Sequence, residues 1–163
     1  LPGSIGIVST SLANRCIQTV EQIIKDSCSE KKIKSTEILT SPAMFNLELA
    51  TQTHCAEGSL KNIAHKLSRK QNLPGFNSLD ITAEKLLDYI FSVGNEYDKL
   101  DLFCTHDFNI VLLLLYLMPN FKSMDVIVEN WPAPLEGIYI WGKRYDFFFS
   151  WKGNIYHYKY SDD

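Results

Sequence analysis

Two short polar segments of the 163-residue chain carry side chains able to hold an anion and move a proton. The first runs from Val8 to Thr19 (VSTSLANRCIQT) and places Arg15 just inside a helix that follows a buried strand. Backbone N–H groups converge at such a helix start, at the positive end of the helix dipole, so a phosphate or carboxylate can dock there. A guanidinium at that point adds two charge-assisted hydrogen bonds. The same position also suits an arginine that packs its stem and pairs with a nearby carboxylate. The second segment runs from Phe103 to Ile110 (FCTHDFNI) and sets His106 beside Asp107 at the carboxyl end of a strand, before a buried helix. Open α/β sheets bind ligands at strand carboxyl ends. A histidine there can hold an oxyanion. An aspartate beside it can act as general acid when burial or a negatively charged substrate keeps its proton on. Helix capping by Asp107, with His106 as a bystander, is the plainer use of the same dipeptide.

The elements that must position these residues can be read from the hydrophobic periodicity. Ile5 to Val8 reads as a buried strand, Ser9 to Asn14 as a polar turn, and Arg15 to Asp26 as an amphipathic helix with Ile17, Val20, Ile23 and Ile24 at three- and four-residue spacing. Leu100 to Cys104, the T-H-D-F-N turn and Ile110 to Leu117 repeat that strand–turn–helix order. Between them lie a solvated connector (Cys28 to Lys34), a short extended segment at Thr36 to Leu39, and short helices at Ala43 to Ala50 and Leu60 to Leu67. A loop follows at Asn72 to Ser78, then a helix capped by Thr82. The C-terminal part reads as strands at Val126 to Val128, Gly137 to Trp141, Tyr145 to Trp151 and Ile155 to Tyr160. Lys152-Gly153-Asn154 joins the last two as a hairpin turn. The expected fold class is α/β, a mostly parallel central sheet flanked by helices with a C-terminal antiparallel hairpin. In this arrangement both polar turns lie at the same end of one parallel sheet, so Arg15, His106 and Asp107 can converge.

Composition narrows the remaining classes. With 45% hydrophobic residues and a net charge of −3, the chain is neither disordered nor built like a nucleic-acid module with a basic face. The longest apolar run, Ile110 to Met118, falls well short of the ~20 residues of a spanning helix. Cys16, Cys28, Cys55 and Cys104 form no C-x-x-C pair, and they suit either two disulfides or four buried thiols. No N-x-S/T sequon occurs. His54, His65 and His157 end no buried strand and read as surface or satisfied core positions. Trp131, Trp141, Tyr145, Phe147 to Phe149 and Trp151 read as the core face of a sheet rather than an exposed aromatic platform. Three consecutive phenylalanines cannot all point inward, however, so a partner subunit or a further N-terminal segment is expected to cover part of that surface.

The two turns together resemble the histidine acid phosphatase family, the acid phosphatase and phytase branch of the histidine phosphatase superfamily. Thr10-Ser11, Asn14-Arg15 and Thr19 are similar to the family's V-R-S-T-D-x-N-R-T-x-x-S segment, with Leu12 standing where the family has its aspartate. His106, Asp107, Asn109 and Ile110 follow its H-D-T-N-[IL] stretch, and Trp131 to Ile140 resembles its proline-rich turn into a late antiparallel strand. The resemblance implies a single domain over residues 1–163, a histidine-phosphatase-like core lacking its first strand, with 28–98 as a reduced, mostly helical insert. It implies phosphomonoester hydrolysis through a phosphohistidine. Arg15 and His106 would bind the equatorial oxygens, Asp107 would protonate the leaving alcohol, Asn109 would stand with the substrate-binding residues, and no metal or organic cofactor would be needed. The nucleophile-bearing R-H-G-x-R-x-P motif is absent from the 163 residues, which start at Leu1 with no signal peptide. The expectation is therefore an N-terminally truncated chain, or else a non-catalytic phosphate-binding or protein-interaction domain. A phosphomonoester is the expected partner, with homo-oligomerisation as one way to cover the aromatics and a lysosomal or secreted setting as the family default.

Overall fold

The computed structural model describes residues 5–25, 32–94, 99–119 and 124–160. The β-branched run of β1 (Ile5–Thr10) lies between β2 (Ile33–Ser35) and β3 (Leu100–Cys104), and all three strands are parallel. Thr10 pairs with Ser35 on one side and with Cys104 on the other, so the three carboxyl ends finish level. Parallel neighbours need crossovers. The first is α1 (Asn14–Ile24). The second contains a 3₁₀ turn (Glu37–Leu39), α2 (Leu47–Glu57), α3 (Leu60–Ser68) and α4 (Leu79–Val93). A bulge between Ile5 and Val8 is held from β3, where Asp101 Oδ1 accepts the Ile7 N–H at 2.7 Å.

Helix α5 (Asp107–Leu117) is apolar on nearly every side. It is therefore buried all round, packed by α3, α4 and the short α6 (Met124–Glu129). A separate antiparallel sheet follows, β4 (Tyr139–Lys143), β5 (Asp146–Trp151) and β6 (Asn154–Lys159), in the order β4-β5-β6. Phe147, Phe149 and Trp151 face the core, while Phe148 faces outward between Trp141 and His157. Arg144, in the β4–β5 turn, ties this sheet to α4 by donating Nε to Asp88 Oδ1 at 2.8 Å and by pairing with Glu84. Burial works against the Arg144 charge, but Asp88 and Glu84 outweigh it and the pKa is raised. Glu84 also accepts from Tyr116 of α5, whose hydroxyl lies 3.1 Å from that of Tyr158. No helix among the described residues is long and apolar enough to cross a membrane.

The fold is the α/β arrangement expected, with several local corrections. Val126 to Val128 is helical within α6, not a strand, because Ile127 and Val128 are both buried where α6 lies against α3 and α5. Of Thr36 to Leu39 only Thr36 is extended, and Glu37–Leu39 form a 3₁₀ turn. Thr36 caps the 3₁₀ turn, its hydroxyl accepting from Ile38 N, and the strand is Ile33–Ser35 instead. Ala43 to Asn46 precedes α2 rather than opening it, since Met44 bridges Phe76 and Asn46 is the cap. Ser78, not Thr82, caps α4; Thr82 is inside it and donates its hydroxyl back to Ser78 O at 2.9 Å. The C-terminal hairpin is two strands of a three-stranded sheet, and its turn is Lys152–Gly153, both with positive φ (47° and 78°), as a two-residue primed turn requires. Asp26 and Cys28 lie outside the described residues.

Candidate functional site

The level carboxyl ends of β1 and β3 bring the two polar turns together. Ser11 follows β1 directly, and its N–H donates to Cys104 O at 2.9 Å, so the first turn is fastened to the end of β3. The Ser11 hydroxyl is fully buried and accepts the Ala13 N–H at 3.1 Å, bending the chain into α1. Arg15 is therefore the second residue of α1 and is exposed. On the other turn His106 is itself the N-cap of α5, without a side-chain cap, so its imidazole is directed to the facing turn. Arg15 Nη2 meets His106 Nδ1 at 2.8 Å, and Ser11 Oγ meets His106 Nε2 at 2.9 Å.

These two contacts fix the imidazole's state. A guanidinium only donates, so Nδ1 accepts and carries no proton. The ring proton is then on Nε2 and is donated to Ser11. Burial, followed by the Arg15 charge, holds the His106 pKa below its ordinary 6.5 against the opposing pull of Asp107, which agrees with a neutral ring. The first turn's arginine thus meets an imidazole rather than the carboxylate that the plainer reading supposed.

Asp107 is the first residue of α5, not its cap, and is exposed. Its Oδ1 accepts the Phe108 N–H at 2.9 Å and its Oδ2 accepts the Trp131 indole N–H at 2.6 Å. Asn109 is buried; its Nδ2 donates to Thr105 Oγ1 at 2.9 Å and lies 3.4 Å from the carbonyls of Leu39 and Thr40. The observed part of Asn109 is therefore to bind the second turn to the segment after β2, although it also lines the cavity described next. Thr19 sits one helical turn below Arg15, with its hydroxyl bonded to Arg15 O at 2.8 Å, and does not line the site.

A cavity of about 230 Å³ opens beside these groups. Arg15, His106, Asp107 and Asn109 line it from the two turns, with Thr40, Ser41, Ala43, Met44, Leu60 and Phe108 completing the wall. His54, His65 and His157 are elsewhere; His65 faces Asp125 at 3.3 Å, and His157 bonds Asp146 at 2.7 Å. Among the described residues no three His, Cys, Asp or Glu side chains are grouped as metal ligands would be. Cys16, Cys55 and Cys104 are free thiols. Burial, and then its neighbour Cys16, pushes Cys104 up to about 11.

Sequence reasoning did not find four contributors. Ser11 was noted only as part of a motif, yet it is the partner of His106. Trp131 was read as sheet core, yet its indole orients Asp107 while its ring stacks on Phe108, with centroids 6.5 Å apart. Met44 and Leu60 carry no chemical signal, and only the fold brings them to the cavity.

No protein-family model matches the chain, and no curated protein matches it. A solved structure described as "Mycobacterial hydrolase 1" is similar at 14% identity with a TM-score of 0.50, over 94% of this chain and 74% of that one. At that identity the likeness is one of fold.

Proposed function

We propose that this site binds the phosphate of a phosphomonoester and serves its hydrolysis in the manner of the histidine acid phosphatases. The observation that carries the reading is the direct contact of Arg15 with His106 at the shared carboxyl ends of β1 and β3, over a cavity with Asp107 at its edge. The guanidinium and imidazole, already within hydrogen-bond distance of one another, form a ready pair of donors once an anion enters. The anion's oxygens take the Arg15 donors, His106 Nδ1 is released, and the ring takes up a proton to become a second cationic donor. Asp107, oriented by Trp131, delivers the proton to the leaving alcohol. Positioning and charge stabilisation supply most of the rate in phosphoryl transfer, and these three side chains supply both. The covalent step needs a nucleophilic histidine on an R-H-G-x-R-x-P segment, which is not among these 163 residues.

The second reading is a phosphate-binding or protein-interaction domain that does no chemistry. The two readings part in one experiment. In a form that carries the R-H-G-x-R-x-P segment, Arg15→Ala, His106→Ala and Asp107→Asn should each lower hydrolysis of p-nitrophenyl phosphate by ~100- to 1000-fold. Near-wild-type turnover in any of the three removes that residue's role. The 163-residue chain alone should bind phosphate without turning over substrate; turnover by it would overturn the assignment of the nucleophile.

A further inference from the structure

The cavity is lined by two chemically different sets of side chains. Arg15 and His106 line it with ring and guanidinium nitrogens, while Ala43, Met44, Leu60 and Phe108 give it an apolar wall. That wall is pinned from behind. Met44 bridges Phe76, Asn77 N donates to Ala43 O at 2.7 Å, and Asn77 Nδ2 donates to Pro42 O at 2.9 Å. Phe108 is buried with its ring edge-on to Phe76 (6.4 Å) and stacked on Trp131 (6.5 Å), so the surface it shows the cavity is fixed before any ligand arrives.

Resting on the phosphate-binding reading above, we infer that the ligand is the monophosphate of a compact, uncharged, apolar alcohol of about one ring, such as an aryl phosphate. Two features select it. First, an apolar cavity of roughly 150 Å³ is enough to take benzene. The 230 Å³ here therefore accommodates a phosphate with one ring. Second, Arg15 is the only lysine or arginine among the described residues lining the cavity, which with His106 suits one phosphate group rather than several. Apolar contact with Met44 and Leu60, not added hydrogen bonds, then distinguishes one monophosphate from another.

The test is direct binding to the 163-residue chain by calorimetry, using inorganic phosphate, methylphosphonate, phenylphosphonate and inositol hexakisphosphate. Phenylphosphonate should bind at least about 10-fold more tightly than methylphosphonate, the scale on which a hydrophobic pocket discriminates, and inositol hexakisphosphate should bind no better than inorganic phosphate. Leu60→Gln and Met44→Gln should each remove most of the phenyl preference, read as the ratio of phenylphosphonate to methylphosphonate affinity. The wild-type ranking needs no variant, so it decides the matter even if a substitution unfolds the chain. Equal affinity for the phenyl and methyl compounds, or tighter binding of inositol hexakisphosphate, overturns the inference while the phosphate site stands. Failure of all four anions to bind overturns the phosphate site and this inference with it.

Discussion

Replacing Arg15 with alanine perturbs two measurable quantities at once, and the structure fixes the direction of both. The Arg15 charge is, after burial, the second cause holding the His106 pKa down, and the guanidinium is the donor to Nδ1. Without it, the His106 pKa rises toward its ordinary value but does not regain it, because the burial remains. The same substitution removes the charge-assisted hydrogen bonds to a bound anion, worth about 1.5–3 kcal/mol each. Arg15 is exposed, so water screens part of that and the lower end applies. At 1.4 kcal/mol per factor of ten, a loss of one to two such bonds weakens anion binding by about 10- to 100-fold. Sulfate is the suitable probe because it does not titrate between pH 5 and 8. Histidine proton NMR against pH gives the first quantity and calorimetry with sulfate gives the second. Arg15→Lys, which keeps the charge but not the planar fork, should fall between wild type and alanine. An unchanged His106 titration in Arg15→Ala would refute the contact, and unchanged sulfate affinity would refute the anion-holding role.

Three further outcomes are expected. The folded His106 pKa lies below the unfolded value near 6.5, so the unfolded chain binds the extra proton. Stability therefore falls as the pH drops below about 6.5, until the folded value is passed. His106→Ala should flatten that part of a urea-midpoint series, and a wild-type-to-variant difference that stays constant with pH would contradict the neutral ring. Trp131→Phe keeps the ring on Phe108 but removes the donor to Asp107. In an active form carrying the nucleophile, its turnover should drop about tenfold with KM little changed, since misplacing a catalytic group costs rate up to a hundredfold; wild-type turnover would show that Asp107 needs no indole. Gly75 has φ +81° and sits where a Cβ would strike Ala50 N and lie 2.7 Å from Asn46 O. Gly75→Ala should therefore destabilise the chain by about 2–4 kcal/mol in urea unfolding, and a loss below 1 kcal/mol would mean that the loop relaxes.

What could be read in advance followed from local patterns. Ile5 to Val8 and Leu100 to Cys104 show apolar runs closed by polar turns, and α1 shows three- and four-residue spacing. From these, the parallel pair and the meeting of Arg15 with His106 follow by topology. Val126 to Val128 shows the limit of such patterns: a run of β-branched residues is helical because the surface that buries Ile127 and Val128 belongs to α3 and α5. Thr82 and Ser78 are both good capping residues, and the sequence does not say which hydroxyl receives a free N–H. The cavity wall was invisible for the same reason. Met44 and Leu60 are ordinary apolar residues until the crossover between β2 and β3 folds them over the first turn. Asn109 was legible as a polar residue near the site, but its bonds to Thr105 and the carbonyls of Leu39 and Thr40 depend on where the 3₁₀ turn ends.

The account stands on an oxyanion seat between Arg15 and His106. The most direct measurement is a crystal structure of the chain with tungstate, whose scattering marks the anion without ambiguity. The account predicts the tungsten atom in the 230 Å³ cavity. Its oxygens should lie within hydrogen-bond distance of the Arg15 guanidinium and of His106 Nδ1, with Asp107 still bonded to Trp131. Tungstate bound away from both residues, or none bound at saturating concentration, would contradict it.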